Sequence, residues 1–220
     1  MSLAAQPFND MRTADTEHLV YVLATPAGVD VSSVLADCSR FGPAVRCFLS
    51  PFDALLEMVF LRRRASGTVE AVLMSSRLPA SVFYSGRFRH RPLTIRVAWL
   101  AHENRLVANQ DGLLIRAARD QAARWRLNPR YRPAMAIEAE TWLVLDRLYE
   151  SAGLFAWEDV LENARQWVAA PAVAEASLRR AVAALDAVES IVLPAEEAEQ
   201  LALYDPEAGC WHFVPHGDIA

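Results

Sequence analysis

The chain has 220 residues, 53% of them hydrophobic and 22% charged, which is enough to bury a sizeable core and excludes disorder over most of its length. No apolar run reaches the roughly 18 residues of a membrane span, and three scattered cysteines are too few for a secreted disulfide scaffold. The formal net charge of −5 excludes a uniformly basic surface, and every one of the 22 basic residues is arginine, a side chain that can grip carboxylates or phosphates with two parallel bonds.

Residues 1–17 read as a mobile polar lead without the basic start and apolar stretch of a signal peptide, so a cytoplasmic location is expected. "HLVYVLAT" (18–25) is a β-branched and aromatic run closed by the turn "PAG", which predicts a strand. "DVSSVLADCSRFG" (30–42) follows as an expected helix, with Asp30 or Ser32 as cap and Gly42 as its end. "AVRCFLS" (44–50) predicts the next strand. In "SPFDALLEMVFLRRR", Ser50 is placed as N-cap and Pro51 at the first helical position, while Phe52, Leu55, Leu56, Val59 and Phe60 keep one face apolar. Three more strands are expected in "GTVEAVLMSS", "RPLTIRVAWLA" and "NRLVANQDG". "LLIRAARDQAARWRL" (113–127) then reads as a helix with Ile115, Ala118, Ala122 and Trp125 on one face and an Asp120–Arg124 surface pair.

The second part changes character. "IEAETWLVLDRLYESAG", "FAWEDVLENARQWVAA" and "AVAEASLRRAVAALDAVES" predict three helices, the first ended by Gly153 and the second stopped by Pro171. In the third, Leu178, Val182, Leu185 and Val188 are expected to share a face. "IVLP", "LALYD", the turn "PEAG" and "CWHFV" close the chain with strands and a hairpin. The fold class expected is therefore α+β: an N-terminal mixed β-sheet with packed helices (18–130), then an acidic three-helix domain with a terminal β-hairpin (134–216). The element order of the latter is winged-helix-like.

Charge supports that division. Residues 62–132 carry 15 arginines against four acids, whereas 133–220 carry four arginines against 16 acids. The change falls at "LNPRYRP" (127–133), whose prolines disfavour helix before them. Within the basic block, "SGRFRHRPLTIRVAW" gives Arg87, Arg89 and Arg91 the same parity as Leu93, Ile95, Val97 and Trp99. Pro92 interrupts any continuous ladder, so these three arginines are expected to project as a comb able to bind protein acids or nucleic-acid phosphates.

"GCWHFVPHGD" (209–218) places Cys210, His212 and His216 in a C-x-H-x₃-H spacing. On a strand, Trp211 and Phe213 take the buried face and leave Cys210 and His212 outward. A structural zinc needs four ligands and a catalytic one three on rigid elements. Cys38, Cys47, His18, His90 and His102 offer no paired spacing to complete the set, so no metal and no cofactor is expected. The nucleotide and nucleophile signatures G-x-G-x-x-G, G-K-[ST], G-x-S-x-G, H-E-x-x-H and C-x-x-C are all missing. "ATPAGVDVSS" sets a strand end beside a helix start, a weak form of an anion site with one glycine and no lysine. Glu138/Glu140, Glu158/Asp159 and Glu196/Glu197/Glu199 read as solvated acids rather than an acid–base pair.

The expectation is a non-catalytic, bacterial-type binding protein, of adaptor, chaperone or toxin-neutralising kind, acting on another protein through charged surfaces, with self-association open. The alternative is a nucleic-acid-associated regulator that uses the arginine comb. It is disfavoured because a third helix with only Arg179 and Arg180, in so acidic a domain, repels phosphates.

Overall fold

The structure is a computed structural model that describes residues 20–25, 34–64, 69, 71–74, 78, 80–85, 89–121, 124–127, 133–169 and 171–219. Strand β1 (Tyr21–Ala24) is followed by a tight hairpin of β2 (Ala36–Ser39) and β3 (Gly42–Phe48). Helix α1 (Pro51–Arg64) leads to β4 (Ala71–Met74), and a short ribbon of β5 (Tyr84–Ser85) and β6 (Arg89–His90) precedes the ten-residue β7 (Leu93–His102). Next come β8 (Arg105–Ala108), β9 (Arg116–Gln121) and the separate hairpin of β10 (Arg124–Leu127) with β11 (Pro133–Ala136). Helices α2 (Ala139–Ser151), α3 (Trp157–Ala169) and α4 (Pro171–Asp186) follow in turn, and β12 (Ser190–Val192), β13 (Gln200–Asp205) and β14 (Cys210–Pro215) finish the chain.

Ten strands form one mixed sheet, so the molecule is α+β. Its path runs β12-β8-β7-β3-β1-β4, with β2 on β3, β9 and β13 on β7, and β14 on β13. β7 is the hub. It pairs parallel with β3 and antiparallel with β8, β9 and β13, and its side chains are almost all buried. That position suits the long run of β-branched and aromatic residues read from the sequence.

The sheet separates two apolar clusters. Alternation along β13 shows the division, because Leu201 and Leu203 enter one cluster while Ala202 and Tyr204 enter the other. The first cluster also takes Val144, Leu145 and Leu148 of α2 with Trp157 and Leu161 of α3. The second takes Phe52, Leu55, Leu56 and Val59 of α1 with Ala181, Ala184 and Leu185 of α4. Ser50 caps α1 as expected, its hydroxyl accepting from the backbone N–H of Phe52 (3.1 Å) and Asp53 (3.3 Å).

Two expected helices are strands. Of the segment 30–42, residues 30–33 lie outside the described residues; Ala36–Ser39 is β2, and Gly42, at φ +100°, opens β3 instead of ending a helix. Within the segment 113–127, Arg116–Gln121 becomes β9 and Arg124–Leu127 becomes β10, because pairing with residues 93–99 of β7 and with β11 outweighs helix propensity in a chain of alanine and arginine. On α4, Val182 is exposed, and the buried face is instead centred on Ala181 and Leu185.

Three helices followed by a hairpin do occur in the expected order, but the hairpin is not set apart as a wing: β13 pairs with β7, and β12 runs parallel to β8. Residues 128–132, where the domain boundary was placed, lie outside the described residues. Among the described residues no helix is long and apolar enough to cross a membrane.

Candidate functional site

A bulge in β7 creates the most distinctive feature of the fold. The register against β9 shifts between Arg96 and Ala98, so Leu93, Ile95 and Val97 face the first cluster and so do Ala98 and Leu100. Thr94 and Arg96 therefore share the α1 side with Trp99, where an unbroken strand would have put Trp99 on the opposite face.

There Arg96 joins a network of charges drawn from five elements. Arg46 of β3 donates from Nη2 to Asp37 Oδ1 (2.7 Å) and from Nη1 to Glu57 Oε1 (3.0 Å). Arg96 donates from Nη2 to Asp37 Oδ2 (2.7 Å), and Arg116 of β9 donates from Nε to Glu57 Oε2 (2.9 Å). Each carboxylate thus lies between two guanidinium groups. Arg116 also reaches the Asp53 carbonyl (3.3 Å) and lies over the Trp99 ring. Burial lowers Arg116 to about 10, against the pull of Glu57 and Asp53, so it remains a cation at neutral pH. The Asp53 carboxyl is pushed up to about 6, chiefly by burial, with Arg116 opposing and Glu57 reinforcing the rise. Cys47, beneath the network on β3, is fully buried; burial, with Asp37 adding to it, pushes its thiol far up and leaves it inert.

Above this layer opens a groove of about 560 Å³, walled by Asp37, Arg96, Arg116, Arg119, Asp120 and Glu140. The tip of the β2–β3 hairpin closes one side, and Asp120 holds it there. Its Oδ2 accepts from the Arg40 backbone N–H (3.0 Å) and its Oδ1 from Thr94 Oγ1 (2.9 Å). Arg119 approaches Glu140 at 3.8 Å, and both remain accessible. Phe41 stands half-exposed at the tip, with the Arg40 guanidinium 4.7 Å from its ring centre. One buried donor in the wall, Arg96 Nε, has no hydrogen-bond partner among the described residues.

The sequence-selected residues lie elsewhere. Arg87 lies outside the described residues, and of Arg89 only the backbone, paired in the β5–β6 ribbon, is described. Arg91 is half-buried, and its backbone N–H donates to the Phe83 carbonyl (2.9 Å). Pro92 does break the ladder, separating β6 from β7. The turn 26–33, read as a weak anion site, is outside the described residues.

Of the C-x-H-x₃-H set, Cys210 Sγ and His212 Nε2 come within 3.5 Å at the end of β14, on the face that carries Val214. Trp211, on the other side, donates its indole N–H to the Ala184 carbonyl (2.8 Å) and meets Trp99 edge-on. His216 leaves the group and contacts the Ala198 carbonyl (3.2 Å). Asp205, opposite Cys210 in the hairpin register, takes its place at 3.9 Å from His212 Nε2. Among the described residues no group of three or more His, Cys, Asp or Glu could hold a metal ion.

Sequence reasoning passed over Asp37, Arg46, Glu57, Arg96 and Arg116 because they are dispersed over 80 positions. The one local signal was an acid, Glu57, set in the otherwise apolar run 54–61 of α1. Comparison with family models, with curated proteins and with solved structures finds no match.

Proposed function

We propose that the chain is a non-catalytic protein-binding module, of adaptor, chaperone or toxin-neutralising kind, whose partner seats on the charged groove beside α1. The observation that carries this reading is the pairing state of the groove. Asp37 in the wall and Glu57 in the layer behind it are each held between two arginines, which suits a fixed recognition surface better than an acid–base pair in contrasting environments. Accessible charges of both signs at the rim, Arg119 and Glu140, with the half-exposed Phe41 beside them, match the polar rim and aromatic anchor of protein interfaces. Opposed charges at fixed positions select a partner by complementarity and set its approach.

The nucleic-acid reading is the weaker of the two. It rests on Arg87, Arg89 and Arg91, and Arg91 is half-buried, while the acids of the second half repel phosphates over the range that low salt leaves unscreened.

A photo-crosslinking residue at Ala118, an exposed position in the groove wall, tests the proposal in cells that naturally make the protein. One defined protein adduct is expected, lost on Arg40→Glu with Arg119→Glu. An adduct that survives both charge reversals would count against the groove. A single-stranded DNA titration at about 50 and 200 mM salt should show weak binding at both. Tight binding that collapses between the two, and disappears when Arg87, Arg89 and Arg91 are reversed, would move the assignment to nucleic acid.

A further inference from the structure

We propose that Cys210, His212 and Asp205 form a thiol-exchange site on the terminal hairpin, one that takes a low-molecular-weight disulfide. Strand alternation puts Cys210 and His212 on the same side of β14, and the hairpin register brings Asp205 of β13 directly opposite Cys210. The three side chains thereby meet without any loop having to order. Cys210 is exposed and His212 partly so, which leaves Sγ open to a solute. His212 Nε2 faces both the sulfur at 3.5 Å and Asp205 Oδ2 at 3.9 Å, so an imidazolium formed there lies between two anionic groups. Asp205 is held in place from behind, since its Oδ1 accepts from the backbone N–H of Glu207 (2.8 Å) and Ala208 (3.1 Å). Trp211, anchored to the Ala184 carbonyl, fixes the strand from the opposite face.

The reaction is a thiol–disulfide exchange. The Cys210 proton passes to His212 Nε2 and the sulfur attacks one sulfur of the disulfide. The electron pair of that S–S bond leaves with the second sulfur, which then takes the proton from His212 and departs as a thiol. Cys210 ends oxidised in a mixed disulfide and half of the incoming disulfide ends reduced, so no further oxidant is needed. The other two cysteines are free and stand on β2 and β3, and neither shares the imidazole. Cys38 is exposed as well, which makes it an internal standard within the same molecule.

The test treats the full chain with dithiodipyridine, an uncharged disulfide, and follows modification of each cysteine by peptide mass spectrometry. In the wild-type chain Cys210 is expected to react about tenfold faster than Cys38, and His212→Gln to bring it down to the Cys38 rate. Asp205→Asn should give an intermediate rate. Cys47, buried in the fold, should stay unmodified in every variant that keeps its fold, and the Cys38 rate should not change. Equal rates at the two cysteines in the wild type would overturn the site. So would a Cys210 rate that His212→Gln leaves untouched while Cys38 stays constant.

Discussion

The arginine–carboxylate pairs of the α1 face and those of the helical surface share a chemistry and differ in what surrounds them. Glu57 and Arg116 meet at 2.9 Å with side chains 7% and 2% exposed, and each has a further charged or aromatic neighbour. Glu175 and Arg179 meet at a shorter 2.7 Å on α4, but at 73% and 68% exposure. Distance alone would rank the second pair higher. Water reverses the order: exposed charges lose little by separating, whereas a buried charge stripped of its partner keeps the full cost of desolvation. The buried network is therefore a point of fragility, which also fixes β2, β3, β7, β9 and α1 to one another.

The sharpest way to break this comparison is to remove one charge from the network. Glu57→Ala leaves Arg46 and Arg116 each short of a partner and should lower stability by about 3–5 kcal/mol in denaturant unfolding. A loss below about 1 kcal/mol would place the network in the class of the surface pairs. Replacing both partners by apolar residues, as in Glu57→Leu with Arg116→Met, should recover much of that loss, since neither change then strands the other's charge.

A subtler effect comes from Asp53, whose carboxyl rises from its ordinary 3.8 to about 6 in the fold. Between those values the folded chain holds a proton that the unfolded chain has released, so Asp53's contribution to stability declines as pH rises from about 4 to about 6. Relative to Asp53→Asn, the wild type should therefore lose stability across that window and show a constant difference outside it. Unfolding midpoints of the two chains at a series of pH values provide the check; parallel curves would mean that Asp53 titrates normally.

The smallest effect belongs to the surface. Arg179→Ala should change stability by no more than about 0.5 kcal/mol, and added salt should erase the difference. A larger or salt-resistant loss would show Arg179 serving some purpose other than its pair with Glu175.

Local signals determined much of the scaffold. The apolar runs of β1, β3, β7 and β13, the Ser50 cap of α1, the Gly153 stop of α2 and the "PEAG" hairpin were legible because each is set by residues adjacent in sequence. The alternation along "CWHFV" likewise placed Cys210 and His212 together, away from Trp211. What failed were segments whose local preference was weak. Residues 36–39 and 116–121 carry helix-tolerant alanine, arginine and aspartate, and only the open edges of β3 and β7 made them strands. The Arg96/Ala98 bulge was likewise hidden, because nothing in a run of alternating apolar residues marks where its parity inverts. Yet that inversion is what puts Trp99 on the same side of the sheet as Arg96 and beneath Arg116, while pairing with β3 and β9 aligns Arg96 with Arg46 and Arg116. The sequence by itself determined the strands with strong apolar patterning and which charges are available; tertiary pairing decided the remaining strands and which charges meet, because a buried ion network is assembled from distant positions whose only shared property is the face of the sheet they end on.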